Sequence, residues 1–515
     1  MTKNQKDNLF QLIKSLSKSE KRQFKLYVGR LGVNTDSKFL NLFNFLDKAN
    51  TYHEASILKS GIVKKRQLAN VKAHLYKQIL ISLKLSPSHQ NIRSQIREQL
   101  DFASILYHKG LYNQSLKILE KAKELAITNE EKTLAYEVVE LEKVIESQYI
   151  TRSISTRADE LSIQAKELSY LNVIASKLSN LSLQLYSIIL KTGYVKNAQE
   201  KREIENYFDS RLPKFEIEQL GFREKLWLYK AYLWYSFLTQ DFLNCYKYAR
   251  KWVELFYENP SMINSHPVFF LKGNNYLLES MFFIRRIDRF EKTLISLEKI
   301  VVSDGFPMDN NIEALSFLYL NTHRMNLYFM KGEFEEGLTI IPEIESQFKS
   351  YENRIDEHHV MTFYYKFASM YFGSGDNEKC IFYLDKIISN KSLSMREDLL
   401  CFSRILHLVA HYEAGYDYHI ETLLKNTYKF LIKMNDLHEV QKEMIKFIKN
   451  LQNIYPHEIK KAFKDLHTKL KTYEEDPYES RAFLYLDILS WLESNIENKP
   501  IGEIIKNKHL SKYDT

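Results

Sequence analysis

The chain is poor in the residues that punctuate most folds outside the all-α class. Only 14 Gly and 9 Pro occur in 515 residues. That excludes a Gly-rich α/β enzyme, a collagen-like fibre and a disordered polymer. Three Cys are too few for a disulfide scaffold and point to a reducing, cytoplasmic setting. No 18-residue apolar run is free of charge, which argues against an ordinary transmembrane helix and against membrane insertion. The first residues are basic but lack the continuous apolar stretch of a signal peptide.

Signatures of chemistry are equally scarce. Cys245, Cys380 and Cys401 are isolated, with no CxxC pair, and neither HExxH nor GxxxxGK[ST] occurs. Gly373 and Gly375 in YFGSGDNEK lack a preceding strand and read as a loop between helices. The nearest approaches to a metal-binding set are Glu357–His358–His359, and His407 and His411 with Glu413 nearby. Both are expected to make surface or interhelical contacts instead. No spacing isolates a general acid/base pair, so the expectation is a protein without enzymatic activity or cofactor.

What the chain does have is aromatic side chains (34 Tyr, 31 Phe and 4 Trp) and an uneven charge. Met1 to Arg97 carries 19 Lys and Arg against 5 Asp and Glu, a balance of +14; the remainder has 54 against 60, a balance of −6. The basic N-terminal region, taken as residues 1–90, reads as a folded helical domain. Leu9, Phe10, Leu12 and Ile13 form an apolar stripe, and Ser17 with Glu20 has capping-box spacing. Further helices are expected over Ser19–Arg30 with breaks at Gly29 and Gly32, over 38–49, 53–59 and 64–84, with a hinge at Pro87. The last two helices, separated by SGIV, have the outline of a helix-turn-helix. Lys64, Lys65, Arg66, Gln67 and Asn70 then begin a candidate nucleic-acid-binding helix.

From Arg93 onward the pattern repeats. LDFASILYHKGLYNQSLKILEKAKELA has an apolar helix, a turn at Gly110 and Tyr112, and a second helix with small residues at Ser115 and Ala122. Related stretches surround Gly332, with Phe334 and Gly337, and Gly375, with Cys380. Weaker copies surround Gln240, with Phe242 and Cys245, and Asp288, with Phe290. Others centre on Gly193 and Gly415, and the spacing calls for one more turn near residue 150. This grammar resembles a divergent tetratricopeptide repeat, at a period nearer 40–48 residues than the usual ~34. In texture the chain is similar to bacterial tetratricopeptide proteins. The resemblance implies an all-α, right-handed α-solenoid of helical hairpins over residues 91–430, closed by capping helices and a tail over 431–515. A two-helix unit cannot bury its apolar face alone, so stacking supplies the core. Pro342 falls inside the second helix of its hairpin and is expected to start or kink it.

The resemblance also implies that the first helix of each pair lines a recognition face. Candidate partner-binding residues are Arg97, Tyr107, Trp227, Lys230, Trp234, Arg285, Tyr319, Asn326 and Tyr365. The Lys/Asn/Asn/Lys/Arg carboxylate clamp of chaperone-binding members is not reproduced. The expected function is a cytoplasmic scaffold or adaptor with a protein or peptide partner, and a homo-oligomer is compatible with it. The alternative is a nucleic-acid- or ribosome-associated regulator acting through the basic N-terminal domain.

Overall fold

Acidic and amide side chains start many of the helices, and residues in the left-handed region end the first helix of most hairpins. The computed structural model describes residues 7–30, 38–86, 91–148, 156–348, 350–351, 354–390, 397–433, 438–451, 454–480, 482–485 and 487–511. It is an all-α architecture of repeated hairpins, with no strand among the described residues. The chain divides into two compact units, Met1–Leu168 and Ser169–Thr515.

In the first unit, α1 (Asn8–Ser15), α2 (Lys18–Arg30), α3 (Lys38–Lys48), α4 (Glu54–Lys59) and α5 (Lys65–Lys84) bury Leu9, Ile13, Phe24, Phe43, Ile57, Leu75 and Ile79 together. The Asp7 carboxylate caps α1 by accepting from Phe10 N at 3.0 Å. Ser17 and Glu20 complete the expected capping box: Glu20 N donates to Ser17 Oγ at 3.2 Å, and Ser17 N donates to Glu20 Oε2 at 2.7 Å. Gly29 does not break α2, contrary to expectation. An internal Gly costs about 1 kcal/mol, less than burial of Phe24 and Val28 returns. Gly32 and Pro87 lie outside the described residues.

Downstream in the same unit come α6 (Ile92–His108), α7 (Tyr112–Thr128), α8 (Lys132–Gln148) and the start of α9 (Arg157–Thr192). They share a core of Ile96, Leu119, Ala122, Val138, Ile145, Leu161 and Leu168. Ser115 lets α6 and α7 approach, and its hydroxyl donates to Ala103 O at 2.7 Å. The turn expected near residue 150 lies outside the described residues. By length and composition alone, α9 is the one described helix able to cross a membrane. Its Leu178, Leu181 and Leu185 are buried in the protein.

The second unit continues through α10 (Ala198–Arg211), α11 (Phe222–Leu238), α12 (Phe242–Glu258), α13 (Ser261–Ser265), α14 (Pro267–Phe283) and α15 (Ile287–Val302). Next are α16 (Asn310–Lys331), α17 (Phe334–Thr339), α18 (Ile341–Phe348), α19 (Glu357–Ser374), α20 (Asn377–Ile388), α21 (Glu397–Glu413) and α22 (Asp417–Lys433). The hairpins are α11 with α12, α14 with α15, α16 with α17 and α18, α19 with α20, and α21 with α22. In each, a left-handed residue closes the first helix: Gln240, Arg285, Gly332, Gly375 and Gly415. Each turn uses the same bonds. Asp241 N donates to Ser236 O, Arg286 N to Met281 O, Glu333 N to Tyr328 O, Asp376 N to Tyr371 O and Tyr416 N to His411 O, all at 2.9–3.0 Å. The α14–α15 hairpin therefore turns at Arg285, three residues before the expected Asp288. Pro342 sits at the start of α18, after the second helix of its hairpin breaks at Ile340.

The chain ends with α23 (Glu439–Leu451), α24 (Ile459–Lys471), α25 (Ala482–Tyr485), α26 (Ile488–Glu497) and α27 (Ile501–Ser511). Trp491 is buried against Phe447 and Phe463, and its indole N–H donates to Glu413 Oε1 at 2.6 Å. The last helix returns to α16 and α19. There a Cβ on Gly502 would stand 2.6 Å from the Gly332 carbonyl oxygen, so the two backbones meet without room for a side chain. Gly373 is tighter still. A Cβ there would fall 2.4 Å from the Phe334 ring, which fills the joint between α17 and α19. Gly373→Ala is expected to lower stability by about 1–3 kcal/mol through overpacking, measured by urea denaturation. The loss should shrink in a Phe334→Leu background, and an undiminished loss would show that Phe334 is not the obstacle.

Candidate functional site

Two consecutive first helices carry the same side-chain pattern. On α11 it is Trp227, Lys230 and Trp234; on α14 it is Phe269, Lys272 and Tyr276. The spacings of three and four residues put each trio on one helix face. Between the helices the copies meet ring to ring, Trp227 with Phe269 at 5.6 Å and Trp234 with Tyr276 at 5.2 Å, both edge-on. The row continues to Tyr186 on α9, 4.7 Å from Trp234, and reaches Tyr319 on α16, whose hydroxyl acts electrostatically on Tyr276. Burial pushes the hydroxyl pKa of Tyr276 and Tyr319 upward, helped by neighbouring Glu279 and Tyr186.

Beyond Tyr276 the row turns polar. His323 on α16 is fully buried, and burial together with Lys366 lowers its pKa to about 3. The ring is therefore neutral. Its Nε2 lies 2.9 Å from Asn275 Oδ1, an acceptor, so Nε2 carries the proton. Nδ1 then accepts from Asn326 Nδ2 at 3.5 Å, and Asn326 Oδ1 accepts from Lys366 Nζ on α19. This ordered chain from Lys366 to Asn275 crosses three helices. Burial brings the Lys366 pKa down to about 8, while Glu279 works in the opposite direction.

Lys230 and Lys272 are different. Lys230 Nζ lies 4.7 Å from the Trp227 ring centroid and 5.8 Å from that of Phe269, with no carboxylate in salt-bridge reach among the described residues. Burial, then the like charge of Lys272, brings its pKa down to about 8. Lys272 is half-buried, and burial lowers its pKa as well. The arrangement thus presents two partly desolvated cations, Lys230 beside two aromatic rings, and no salt-bridge partner for either among the described residues.

The structure places the remaining candidates elsewhere. Arg97 and Tyr107 lie on α6 in the first unit: Arg97 is exposed, and the Tyr107 hydroxyl donates to Gln148 Oε1 at 3.2 Å. Arg285 is in the turn after α14, 3.7 Å from Asp487 Oδ2, and not on a helix face. Tyr365 is a core residue of α19. Asn326 is only 6% exposed and engaged on both sides. Lys64, Lys65, Arg66 and Asn70 are exposed at the start of α5, which follows a left-handed turn at Gly61, and Gln67 accepts from Lys38 at 3.4 Å. His407 Nε2 lies 3.1 Å from Asp385, His411 bonds the His407 carbonyl, and Glu413 faces Trp491. Those three side chains do not converge on one point. Sequence reasoning missed Phe269, Lys272, Tyr276, His323 and Lys366. For the first three, the signal was the repetition of an aromatic–x2–Lys–x3–aromatic pattern 42 residues on.

Two outcomes are expected. In reductively 13C-methylated protein followed by NMR, Lys230 should titrate near 8, and Lys272→Gln should move its midpoint upward by removing the like charge. Lys230→Met should also raise the melting temperature at pH 7. The folded pKa lies below the unfolded value, so the charged lysine costs stability below about 8, and the cost fades as pH rises toward 10.5. The advantage of Met should therefore shrink over that window in melting curves. No protein-family model and no curated protein sequence matches this chain, so the functional reading rests on the architecture and on this row of side chains.

Proposed function

We propose that the protein is a cytoplasmic, non-enzymatic scaffold or adaptor that takes a protein or peptide partner along the first helices of its hairpins. The single observation behind this is the repeated aromatic–lysine–aromatic face of α11 and α14, partly exposed at Trp227, Lys230, Phe269 and Lys272. Aromatic anchors beside cations are the composition of interaction hot spots. Repeat stacks of helical hairpins are a common platform for such binding. The test is capture of partners from native cell extract by tagged full-length protein after nuclease treatment. A nuclease-resistant partner should be retained by the parent and lost with Trp227→Ala/Phe269→Ala, provided the variant keeps its helical signal. Equal capture by both would sink this assignment of the face.

A second reading is favoured by Lys64, Lys65 and Arg66. They cluster at the N-terminus of α5 with no acidic residue in its first turn, where the helix dipole already favours an anion. Contact with nucleic acid there should weaken in Lys64→Glu/Lys65→Glu/Arg66→Glu. The salt dependence of duplex binding by the full chain should also flatten by roughly three counterions. Fluorescence anisotropy reads both, and an unchanged slope would remove this reading.

A further inference from the structure

We infer that Lys230 and Lys272, with Trp227 and Phe269 beside them, form the subsite for an acidic peptide segment. Its carboxylates meet the two ammonium groups, and its apolar side chains lie on the two rings. The inference rests on the scaffold reading and specifies the chemistry of its partner.

Charge complementarity carries the argument. Three lysines project from the first helices of this unit's hairpins beside the aromatic row: Lys230, Lys272 and Lys366. Lys366 is provided for internally, because it donates to Asn326 and has Glu279 in its field. Lys230 and Lys272 have no such provision: the groups acting on Lys230 are the Trp227 and Phe269 rings and the other cation. Two like charges that act on one another in partial desolvation are destabilising, and an anion that joins them relieves that cost. Cation–ring contact at Lys230 offsets part of the cost and leaves the repulsion from Lys272 in place.

The anion must also suit its surroundings. Trp227 and Phe269 are half-buried, meet edge-on, and have Lys230 Nζ at 4.7 and 5.8 Å from their ring centroids. A segment alternating carboxylate and aliphatic side chains satisfies both demands. The pattern repeats on α11 and α14, so successive carboxylates of an extended segment reach successive lysines.

The probe is a fluorescein-labelled decapeptide alternating glutamate and leucine, compared with its glutamine–leucine counterpart by anisotropy with the full chain. The glutamate peptide should bind, and the glutamine peptide should bind at least about tenfold more weakly. Lys230→Gln/Lys272→Gln should weaken the glutamate peptide by a similar factor while Lys64→Glu/Lys65→Glu/Arg66→Glu leaves it unchanged. Lys230→Glu/Lys272→Glu should switch preference to a lysine–leucine peptide, an outcome that a merely misfolded variant cannot give. Equal binding of the glutamate and glutamine peptides overturns the inference. So does glutamate-peptide affinity lost only with the α5 substitutions, or a single-stranded oligonucleotide that displaces the peptide in a manner dependent on Lys230 and Lys272. If extract capture still depends on Trp227 and Phe269 in any of those cases, the scaffold reading stands and only the acidic chemistry falls.

Discussion

Ring-to-ring packing between consecutive first helices is the contact on which the candidate site depends. Tyr186, Trp234 and Tyr276 form a continuous aromatic line across α9, α11 and α14. Phe237 adds contacts to Tyr276 and Phe283. Large planar side chains bury much area with few rotamers to lose, and edge-on pairs add about 0.5–1.5 kcal/mol each beyond that burial. The residues one or two turns away on the same helices are positioned as a consequence. Trp227 and Lys230 keep their register with Phe269 and Lys272 because Trp234 and Tyr276 are locked together.

Helix-closing geometry explains both why the repeat was legible and where the reading slipped. Gly332, Gly375 and Gly415 adopt the left-handed conformation that favours glycine, and a sequence poor in Gly makes each of them conspicuous. Gln240 and Arg285 adopt it too, at a cost that only the rest of the hairpin offsets. No local signal marks Arg285, so the aspartate three residues on drew attention instead. The turns at Gln240, Arg285, Gly332, Gly375 and Gly415 stand 45, 47, 43 and 40 residues apart. Long first helices, such as the 22 residues of α16, and inserts such as α13 stretch the period beyond that of a regular tetratricopeptide repeat.

The candidate site was legible to the extent that helix periodicity reports on faces. Trp227, Lys230, Trp234 and Tyr319 are joined in one row with their neighbours because three- and four-residue steps follow a helix side. Periodicity does not report depth. Tyr365 and Asn326 occupy plausible positions on their helices, yet one is core and the other is inside a polar chain. The buried histidine illustrates the same gap: His323 is recognisable only once Asn275 and Lys366, 48 and 43 residues away, are seen around it.

Comparison of the lysines gives the electrostatics its direction. All three are lowered by burial, so depth alone does not separate them. What separates them is the next shell of charge. Around Lys366, an amide oxygen and a carboxylate absorb the ammonium, and His323 stays neutral rather than adding a second cation. Around Lys230 the charge that acts, Lys272, has the same sign. A buried ammonium with internal partners stiffens its neighbourhood, whereas one facing another cation holds unfavourable energy that an incoming anion releases. That release is specific to charge, while the rings beside it are indifferent to sign. On the proposed reading, the α11–α14 pair combines apolar ring surface with a charge preference that narrows its partners.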